Sequence, residues 1–219
     1  MGQEIDLLIH YPKAKRNIKE RGATKTEQDR AIARQFGKDF FDGDRRHGYG
    51  GFSYMERFWT PVVPTFQNQY ELTSQSSILD VGAAKGFMLY DFQRLIPNIT
   101  IAGIDISPYS VEHAKEEVKP FLQVANATSL PYENNSFDLV ISINTVHNLE
   151  KDDLAKALQE IERVSRKNSF ITVDAYRNDE EKELMYHWNL TAKTIMHVDE
   201  WKTFFNDIGY TGDYYWFIP

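Results

Sequence analysis

The sequence contains no cysteine among its 219 residues, and this absence excludes several kinds of chemistry. A chain without cysteine has no disulfide framework, no thiolate metal site and no thiol nucleophile. Long apolar runs are missing as well, since no stretch approaches the ~20 apolar residues of a membrane-spanning helix. The first residues lack the basic start and apolar core of a signal peptide, and Gly2 begins no myristoylation pattern. We therefore expect a cytoplasmic protein.

An excess of positive charge is also missing. The formal net charge of −7 argues against broad nucleic-acid binding, because phosphate contacts need clustered Lys and Arg. The charge is uneven, with 12 Lys and Arg against 9 Asp and Glu in residues 1–60, a net +3, and −10 in the remainder. The basic first part suits an anionic small substrate, although a solvated charged helix is the simpler interpretation. We expect a small-molecule partner and neither nucleic acid nor membrane.

Apolar runs and helical patterns alternate over residues 73–219, which predicts a parallel sheet with helices between its strands. A clear amphipathic helix spans residues 152–165, and further helices are predicted around 180–188 and 199–208. Only one clear strand is predicted at the C-terminal edge of the sheet. The predicted strands cover residues 78–81, 99–105, 121–124, 137–143, 170–174 and 211–218.

Residues 1–72 are predicted to form a separate N-terminal helical cap, followed by a core of residues 73–219. The first 26 residues, with a basic run from 13 to 21, read as a short helix or an extended arm that must dock to be ordered. Thr26 has the properties of a helix N-cap. Four glycines alternate with aromatic residues over 41–54. This loop is either a lid over a ligand or an irregular segment whose aromatic rings pack into the core.

The stretch 77–88 lies at the centre of the α/β pattern. A buried strand ends at small residues and a helical pattern follows, a geometry that binds nucleotide-like ligands at the carboxyl edge of a parallel sheet. The stretch resembles motif I of the class I S-adenosylmethionine-dependent methyltransferases, and stands here as Asp80, Gly82, Ala84 and Gly86. Ala84 replaces the middle glycine of the family, and we expect a turn with negative φ to accommodate it.

Three further segments resemble the same family, each at the end of a successive predicted strand. Asp105 resembles the acid whose carboxylate accepts both ribose hydroxyls. Asn126 lies in a loop that resembles the adenine-binding loop, and the segment 134–149 resembles the fourth-strand region, whose end borders the reactive methyl. The resemblance implies cofactor contacts from Asp80, Gly82, Ala83, Ala84, Gly86, Phe87, Asp105, Ile106, Asn126, Ala127, Thr128 and Asn144. Tyr11 of the N-terminal segment is a further candidate for cofactor contact, through its aromatic ring.

The resemblance covers roughly residues 75–175. It implies a Rossmann-like class I methyltransferase sheet that is mostly parallel with an antiparallel edge strand, and has helices on both faces. It also implies S-adenosyl-L-methionine as the cofactor, S-adenosyl-L-homocysteine as the product, and O- or N-methylation of a small molecule by displacement at the sulfonium methyl. The protein then mainly aligns the reacting atoms. Tyr11, Tyr49 and Tyr54 are candidates for cation–π contact with the sulfonium.

Candidate catalytic residues are His147, Asn144 and Tyr49. If the acceptor is a hydroxyl or a protonated amine, a base must take its proton, and neutral imidazole suits a pH near 7. His147 follows the fourth strand and is the best-placed candidate, although it is equally interpreted as a cap on the neighbouring turn. The six histidines show no metal-binding spacing, so no metal is predicted.

Other functions remain open at this stage. A dinucleotide-dependent oxidoreductase shares the strand–turn–helix but requires Gly-x-Gly-x-x-Gly, whereas the small residues here are evenly spaced. Amino-directed nucleic-acid methyltransferases carry two prolines after strand four that residues 144–147 lack. A cofactor-binding or partner protein without turnover is a third alternative, because fold alone does not define function.

Overall fold

The computed structural model describes residues 2–13 and 25–219. Its helices are α1 (Glu27–Ala33), α2 (Lys38–Asp42), α3 (Glu56–Trp59), α4 (Val63–Gln69), α5 (Phe87–Leu95), α6 (Pro108–Glu112), α7 (Lys151–Val164), α8 (Asp179–Trp188) and α9 (Val198–Ile208), with 3-10 turns at Lys119–Phe121 and Val146–Asn148. Its strands are β1 (Ser77–Val81), β2 (Thr100–Asp105), β3 (Leu122–Val124), β4 (Phe137–Ile143), β5 (Ser165–Tyr176), β6 (Met196–His197) and β7 (Asp213–Phe217).

The strands form one sheet in the order β3-β2-β1-β4-β5, and both β6 and β7 lie beside β5. Every strand pairing within the described residues is parallel. The prediction of a mostly parallel Rossmann-like sheet is therefore confirmed, whereas the prediction of an antiparallel edge strand is wrong. Helix α9 returns the chain across the sheet before β7 begins, so β7 runs in the same direction as β5.

The edge of β7 is covered by the N-terminal residues. The amide of Ile5 donates to the Tyr214 carbonyl, and the Tyr214 amide donates to the Gln3 carbonyl, both at 3.0 Å. Pairing in this way satisfies backbone groups that an open edge would leave exposed. The predicted docking of the N-terminal arm is thus seen for its first residues, while most of the basic run 13–21 lies outside the described part of the chain.

Two apolar cores lie on opposite faces of the sheet. On one face α7 buries Leu154, Leu158 and Ile161, spaced to form one helical stripe, together with residues of α9. On the other face Phe66 of α4 and Phe92 of α5 pack against the sheet. Helices therefore cover both faces, as predicted, and the carboxyl ends of β1, β2, β4 and β5 meet at one edge.

Most predicted elements agree with the structure to within a few residues. Thr26 forms a capping box with Asp29 at the start of α1, as the sequence predicts. Before β1 the chain forms two short helices, α3 and α4, the second with a proline in its first turn. The division into a cap of residues 1–72 and a core stays a prediction. Among the described residues, no helix has the length and apolar character needed to cross a membrane.

Candidate active site

The turn after β1 contains three residues with left-handed backbone. Gly82 has φ of 90°, Ala84 has φ of 49° and Gly86 has φ of 74°. Our expectation of a negative φ at Ala84 is therefore wrong. An L-residue in this conformation brings its Cβ close to the following carbonyl oxygen, so this turn holds Ala84 in a strained conformation. Its amide donates to Asp105 Oδ2 at 2.8 Å, which helps to stabilise that conformation.

Gly82 is required by close packing as well as by its backbone angle. A Cβ at this position would lie 2.2 Å from Cγ2 of Thr145, which follows β4. The amides of Gly82 and Ala83 both donate to the Ile104 carbonyl. These bonds hold the turn against β2, while the first helical turn of α5 begins just beyond Gly86.

Asp105 ends β2 and is only 7% exposed. Oδ2 accepts from the Ala84 amide at 2.8 Å, and Oδ1 accepts from the Ser107 amide at 2.9 Å. Burial raises the pKa of Asp105, and these two hydrogen bonds offset part of that effect. The Ser110 side chain also hydrogen-bonds this carboxylate, and because an ionised carboxylate can accept about four hydrogen bonds, it keeps capacity for a further donor.

Apolar and amide groups flank this acid. Ile106, the next residue, is 54% exposed although it is large and apolar. In the loop after β3, Asn126 Oδ1 accepts from the Thr128 amide at 3.0 Å and thereby shapes the turn. Ala127 between them is partly buried. An exposed aliphatic side chain beside an acid and a polar loop is a suitable surface for a heteroaromatic base with its ribose.

Asp80 lies within β1 and is 5% exposed. Burial, and then the charge of Asp105, raise the pKa of Asp80 to about 7. Two acids at the ends of adjacent parallel strands make this edge of the sheet negative when both are ionised. Such an edge favours a ligand with a positive charge.

The loop of residues 41–54 packs onto this edge. The Phe52 ring lies 4.9 Å from that of Phe87 in α5, and Tyr49 lies 4.3 Å from Phe52. Burial, followed by the nearby Tyr11 and Asp105, raises the pKa of Tyr49 to about 12. Because Tyr49 is 42% exposed, that burial concerns its hydroxyl end. The Tyr49 hydroxyl thus lies near both Tyr11 and Asp105, and the roles of the two tyrosines at the site stay predictions.

Tyr54 has a different position. Its hydroxyl donates to Asp91 of α5 at 2.7 Å, and its ring lies 5.0 Å from that of Tyr90. The hydroxyl anchors the cap to α5, so Tyr54 is not grouped with Tyr11 and Tyr49. Both interpretations of the glycine-rich loop are therefore represented: its rings are packed against the core, and the loop covers the turn after β1.

His147 lies in the 3-10 turn after β4 and is 4% exposed. Its Nδ1 accepts from the Asp174 amide at 3.0 Å, so the neutral ring carries its proton on Nε2. Nε2 lies 3.7 Å from Asp174 Oδ1. Burial lowers the pKa of His147, and Asp174 offsets part of this effect. The ring thus joins the ends of β4 and β5, and its role as general base stays a prediction.

Asn144 is exposed and has φ of 52°. Its amide donates to Thr172 Oγ1 at 2.9 Å, and its Oδ1 accepts from the same hydroxyl at 2.8 Å. These bonds fix the end of β4 to β5 and leave the Nδ2 group for other contacts. The structure therefore places Asn144, His147 and the cofactor turns at the same edge of the sheet.

Sequence reasoning missed a set of polar contacts between the cap and the turn after β1. Lys85 Nζ donates to Asp42 Oδ2 at 2.6 Å, and Tyr109 donates to the same oxygen at 2.8 Å. A lysine inside a glycine-rich turn is the only local signal for this contact, and nothing in the sequence shows which acid would pair with it. No group of three or more potential metal ligands is found in residues 2–13 and 25–219.

Fold and site together define a class of protein: a doubly wound α/β domain that binds a nucleoside-containing ligand at the carboxyl edge of its strands. Residues 79–173 match the family model of the methyltransferase domain. The chain is 29% identical over 162 residues to an Arabidopsis thaliana tRNA (carboxymethyluridine(34)-5-O)-methyltransferase, covering 68% of this chain and 38% of that protein. It is 29% identical over 145 residues to a Legionella pneumophila malonyl-[acyl-carrier protein] O-methyltransferase, covering 64% and 50%.

Solved structures show the same fold. The YcgJ protein from Bacillus subtilis has a TM-score of 0.55 at 21% identity, covering 67% of this chain and 66% of that one. A SAM-dependent methyltransferase from Aquifex aeolicus has a TM-score of 0.50 at 18% identity, covering 67% and 78%. Residues 79–173 therefore resemble the methyltransferase domain, which implies S-adenosyl-L-methionine as the cofactor, and the solved structures show the same fold. The chain spans half or less of the length of the two curated relatives.

Proposed function

We propose that this protein methylates a carboxylate oxygen of a small anionic acceptor. When bound, S-adenosyl-L-methionine supplies a methyl group activated by a sulfonium sulfur. Asp105 would hold the ribose with its remaining lone pairs, and Ile106 would pack on the adenine. The Nδ2 group of Asn126 would donate to the adenine edge. The buried acid Asp80 would favour the positively charged end of the cofactor.

The observation that carries the acceptor class is the engagement of His147. Its Nδ1 is bonded to the Asp174 amide, and its Nε2 faces the Asp174 carboxylate. A hydroxyl or a protonated amine needs a base to take its proton, and in the neutral ring the acceptor nitrogen Nδ1 is already occupied by the Asp174 amide while Nε2 carries the proton. A carboxylate with a pKa near 4 arrives already ionised at neutral pH. An ionised acceptor therefore removes the need for a base.

Two further facts support this proposal. The acceptor named for the plant relative is a carboxymethyl group, and the one named for the bacterial relative is a malonyl group, so both names describe O-methylation of a compound with a carboxylate. The first 60 residues have a net charge of +3, which favours an anionic acceptor. The chain's own residues then orient the acceptor oxygen toward the methyl and exclude water.

A direct test uses methyl-labelled cofactor with matched sets of small carboxylates, amines and hydroxyl compounds. We expect label transfer to carboxylates, in a product that releases methanol in mild alkali because it is a methyl ester. At saturating cofactor, turnover should change little between about pH 6.5 and about pH 8.5, since the acceptor is ionised throughout. An alkali-stable product would refute the proposed carboxylate acceptor, and so would a rate that rises with the titration of an imidazole.

A second candidate is the same reaction on a carboxylate carried by a larger molecule. The names of the two relatives favour it, because one acts on a tRNA and the other on a carrier protein. Transfer RNA and malonyl-loaded carrier protein therefore belong in the same assay. Label transfer to either, without transfer to free carboxylates, would replace the small-molecule acceptor.

A further inference from the structure

A group of three polar side chains, of which Lys85 is buried and the other two are partly buried, joins the cap to the two turns proposed to hold the cofactor. We call the group Asp42, Lys85 and Tyr109 the latch. Lys85 is 7% exposed, and its ammonium donates to Asp42 Oδ2 at 2.6 Å and to the Phe52 carbonyl at 2.9 Å. Tyr109 donates to the same Asp42 oxygen at 2.8 Å. Asp42 Oδ1 accepts from the Phe52 amide at 2.9 Å.

Two members of the latch, Lys85 and Tyr109, lie close in sequence to residues whose amides bind Asp105, the acid proposed to hold the ribose. Lys85 follows Ala84, whose amide donates to Asp105 Oδ2. Tyr109 lies two residues beyond Ser107, whose amide donates to Asp105 Oδ1. A single carboxylate on the cap is therefore connected, through one turn on each side, to both oxygens of Asp105.

We propose that Asp42 is a positioning residue that couples docking of the cap to binding of S-adenosyl-L-methionine. The inference rests on the proposed cofactor site. When the cap is docked, Asp42 holds Lys85 and Tyr109, and with them the two turns that present Asp105. When the cofactor is bound, it holds the same two turns and so favours the docked cap. Coupling between two binding events is reciprocal, so each event must stabilise the other.

The chemistry of the latch explains why the coupling depends on Asp42. Burial raises the pKa of this acid, but the hydrogen bonds from Lys85, Phe52 and Tyr109 outweigh it and lower the pKa overall. Asp42 therefore remains ionised and pairs with a lysine that is almost completely buried. Without the carboxylate charge, that ammonium would keep the Phe52 carbonyl and the face of the Tyr109 ring, 5.9 Å away, but would lose its counterion, and a buried charge without its counterion is strongly unfavourable.

The test compares Asp42→Asn, Lys85→Met and the milder Tyr109→Phe with the wild-type protein. Thr60→Val is the matched control, because it removes a different contact between cap and core, that of Thr60 with Asp91 at 3.1 Å. Affinity for S-adenosylhomocysteine is measured by calorimetry. Hydrogen exchange is measured on peptides that cover residues 37–54, with and without this ligand. Peptides from α7 report on the stability of the core.

We expect Asp42→Asn and Lys85→Met to weaken ligand affinity about 10-fold or more, within the usual range of coupling between sites. In the wild type and in Thr60→Val the ligand should slow exchange over residues 37–54. In the two latch variants this protection should be largely lost while α7 exchanges as before. Tyr109→Phe should give a smaller loss of the same kind.

Wild-type affinity in Asp42→Asn would overturn the proposal, and so would an equal loss of affinity in Thr60→Val. If α7 were to exchange faster in Lys85→Met, that variant would be destabilised as a whole. The ligand affinity and hydrogen exchange of Tyr109→Phe would then decide whether the coupling exists. If the wild type bound no S-adenosylhomocysteine, the proposed cofactor site would fail and the coupling with it. Hydrogen exchange over residues 37–54 in the ligand-free Asp42→Asn variant, compared with the ligand-free wild type, would then still show whether Asp42 docks the cap.

Discussion

Substitution of Asp80 by asparagine provides a sharp test of the electrostatics at the sheet edge. Asp80 is 5% exposed, and burial together with Asp105 raises its pKa to about 7. Asparagine has nearly the same shape and is neutral at every pH. The variant therefore removes the ionisation of this group and leaves its packing almost unchanged.

The magnitude follows from linkage between pKa and stability. A folded-state pKa raised from 3.8 to about 7 means that stability is fully present below pH 3.8 and is lost as pH rises through about 7. The full loss is roughly 4 kcal/mol, because one pKa unit corresponds to about 1.36 kcal/mol. About a third of it is already lost at pH 5. The advantage of Asp80→Asn over the wild type should therefore grow by roughly 3 kcal/mol between pH 5 and pH 8.

The assay is urea unfolding of the ligand-free proteins at about pH 5 and about pH 8, followed by circular dichroism. Thermal unfolding should show the same trend, with the difference in midpoint growing by about 10 °C for a chain of this size. Asp153→Asn is the control, because Asp153 is an exposed acid of α7 that pairs with Lys156. Its effect on stability should be small at both pH values.

An unchanged stability gap between Asp80→Asn and the wild type at the two pH values would refute this reasoning. It would mean that Asp80 is solvated or paired in the folded protein.

A second measurement on the same variant concerns ligand affinity. A positively charged group beside Asp80 favours its ionised form, and S-adenosylhomocysteine keeps an ammonium although it lacks the sulfonium charge, so wild-type affinity for it should rise between about pH 6 and about pH 8. Affinity in Asp80→Asn should be weaker and independent of pH.

Four other predictions concern the turns after β1 and β2. Ala84→Gly should raise the free energy of unfolding by about 1 kcal/mol or less, because it relieves a left-handed alanine at some cost in chain entropy; a clear loss of stability in urea unfolding would contradict the strain. Gly82→Ala should lower it by more than about 2 kcal/mol, since its Cβ would collide with Thr145, and a wild-type midpoint would count against that packing. Asp105→Ala should weaken S-adenosylhomocysteine binding by about 10-fold or more in calorimetry, and unchanged binding would remove Asp105 from the ribose site. Ile106→Asp should also weaken it, because a charge would replace the exposed apolar surface, while equal affinity would place the adenine elsewhere.

Much of the site follows from local patterns along the chain. The spacing of Asp80, Gly82 and Gly86 after an apolar run indicates a strand, a turn and a helix, and an acid such as Asp105 at the end of the next strand must lie beside that turn in a parallel sheet. These inferences succeed because strand order brings consecutive strand ends together. The conformation of Ala84 was mispredicted, because its backbone angle depends on the hydrogen bond to Asp105 across the sheet.

Contacts between distant segments could not be inferred in this way. The sequence shows a histidine after β4 but not that the Asp174 amide occupies its Nδ1, and that bond changes how its chemistry is interpreted. It shows a lysine in the turn after β1 but not its pairing with Asp42, which is 43 residues away. It suggests one clear strand at the C-terminal edge but not the direction in which that strand pairs.

The amino-acid sequence by itself determined the Rossmann-like fold and indicated which residues lie at the carboxyl edge of the sheet, because hydrophobic periodicity and small residues in turns act over a few positions. The tertiary structure alone decided the parallel edge strand, the left-handed conformation of Ala84, the hydrogen bond to His147 Nδ1 and the contacts that Asp42 makes between the cap and the two turns. Each of these depends on which side chains meet after the chain has folded, and such meetings are decided by packing across the sheet rather than by neighbours in the chain.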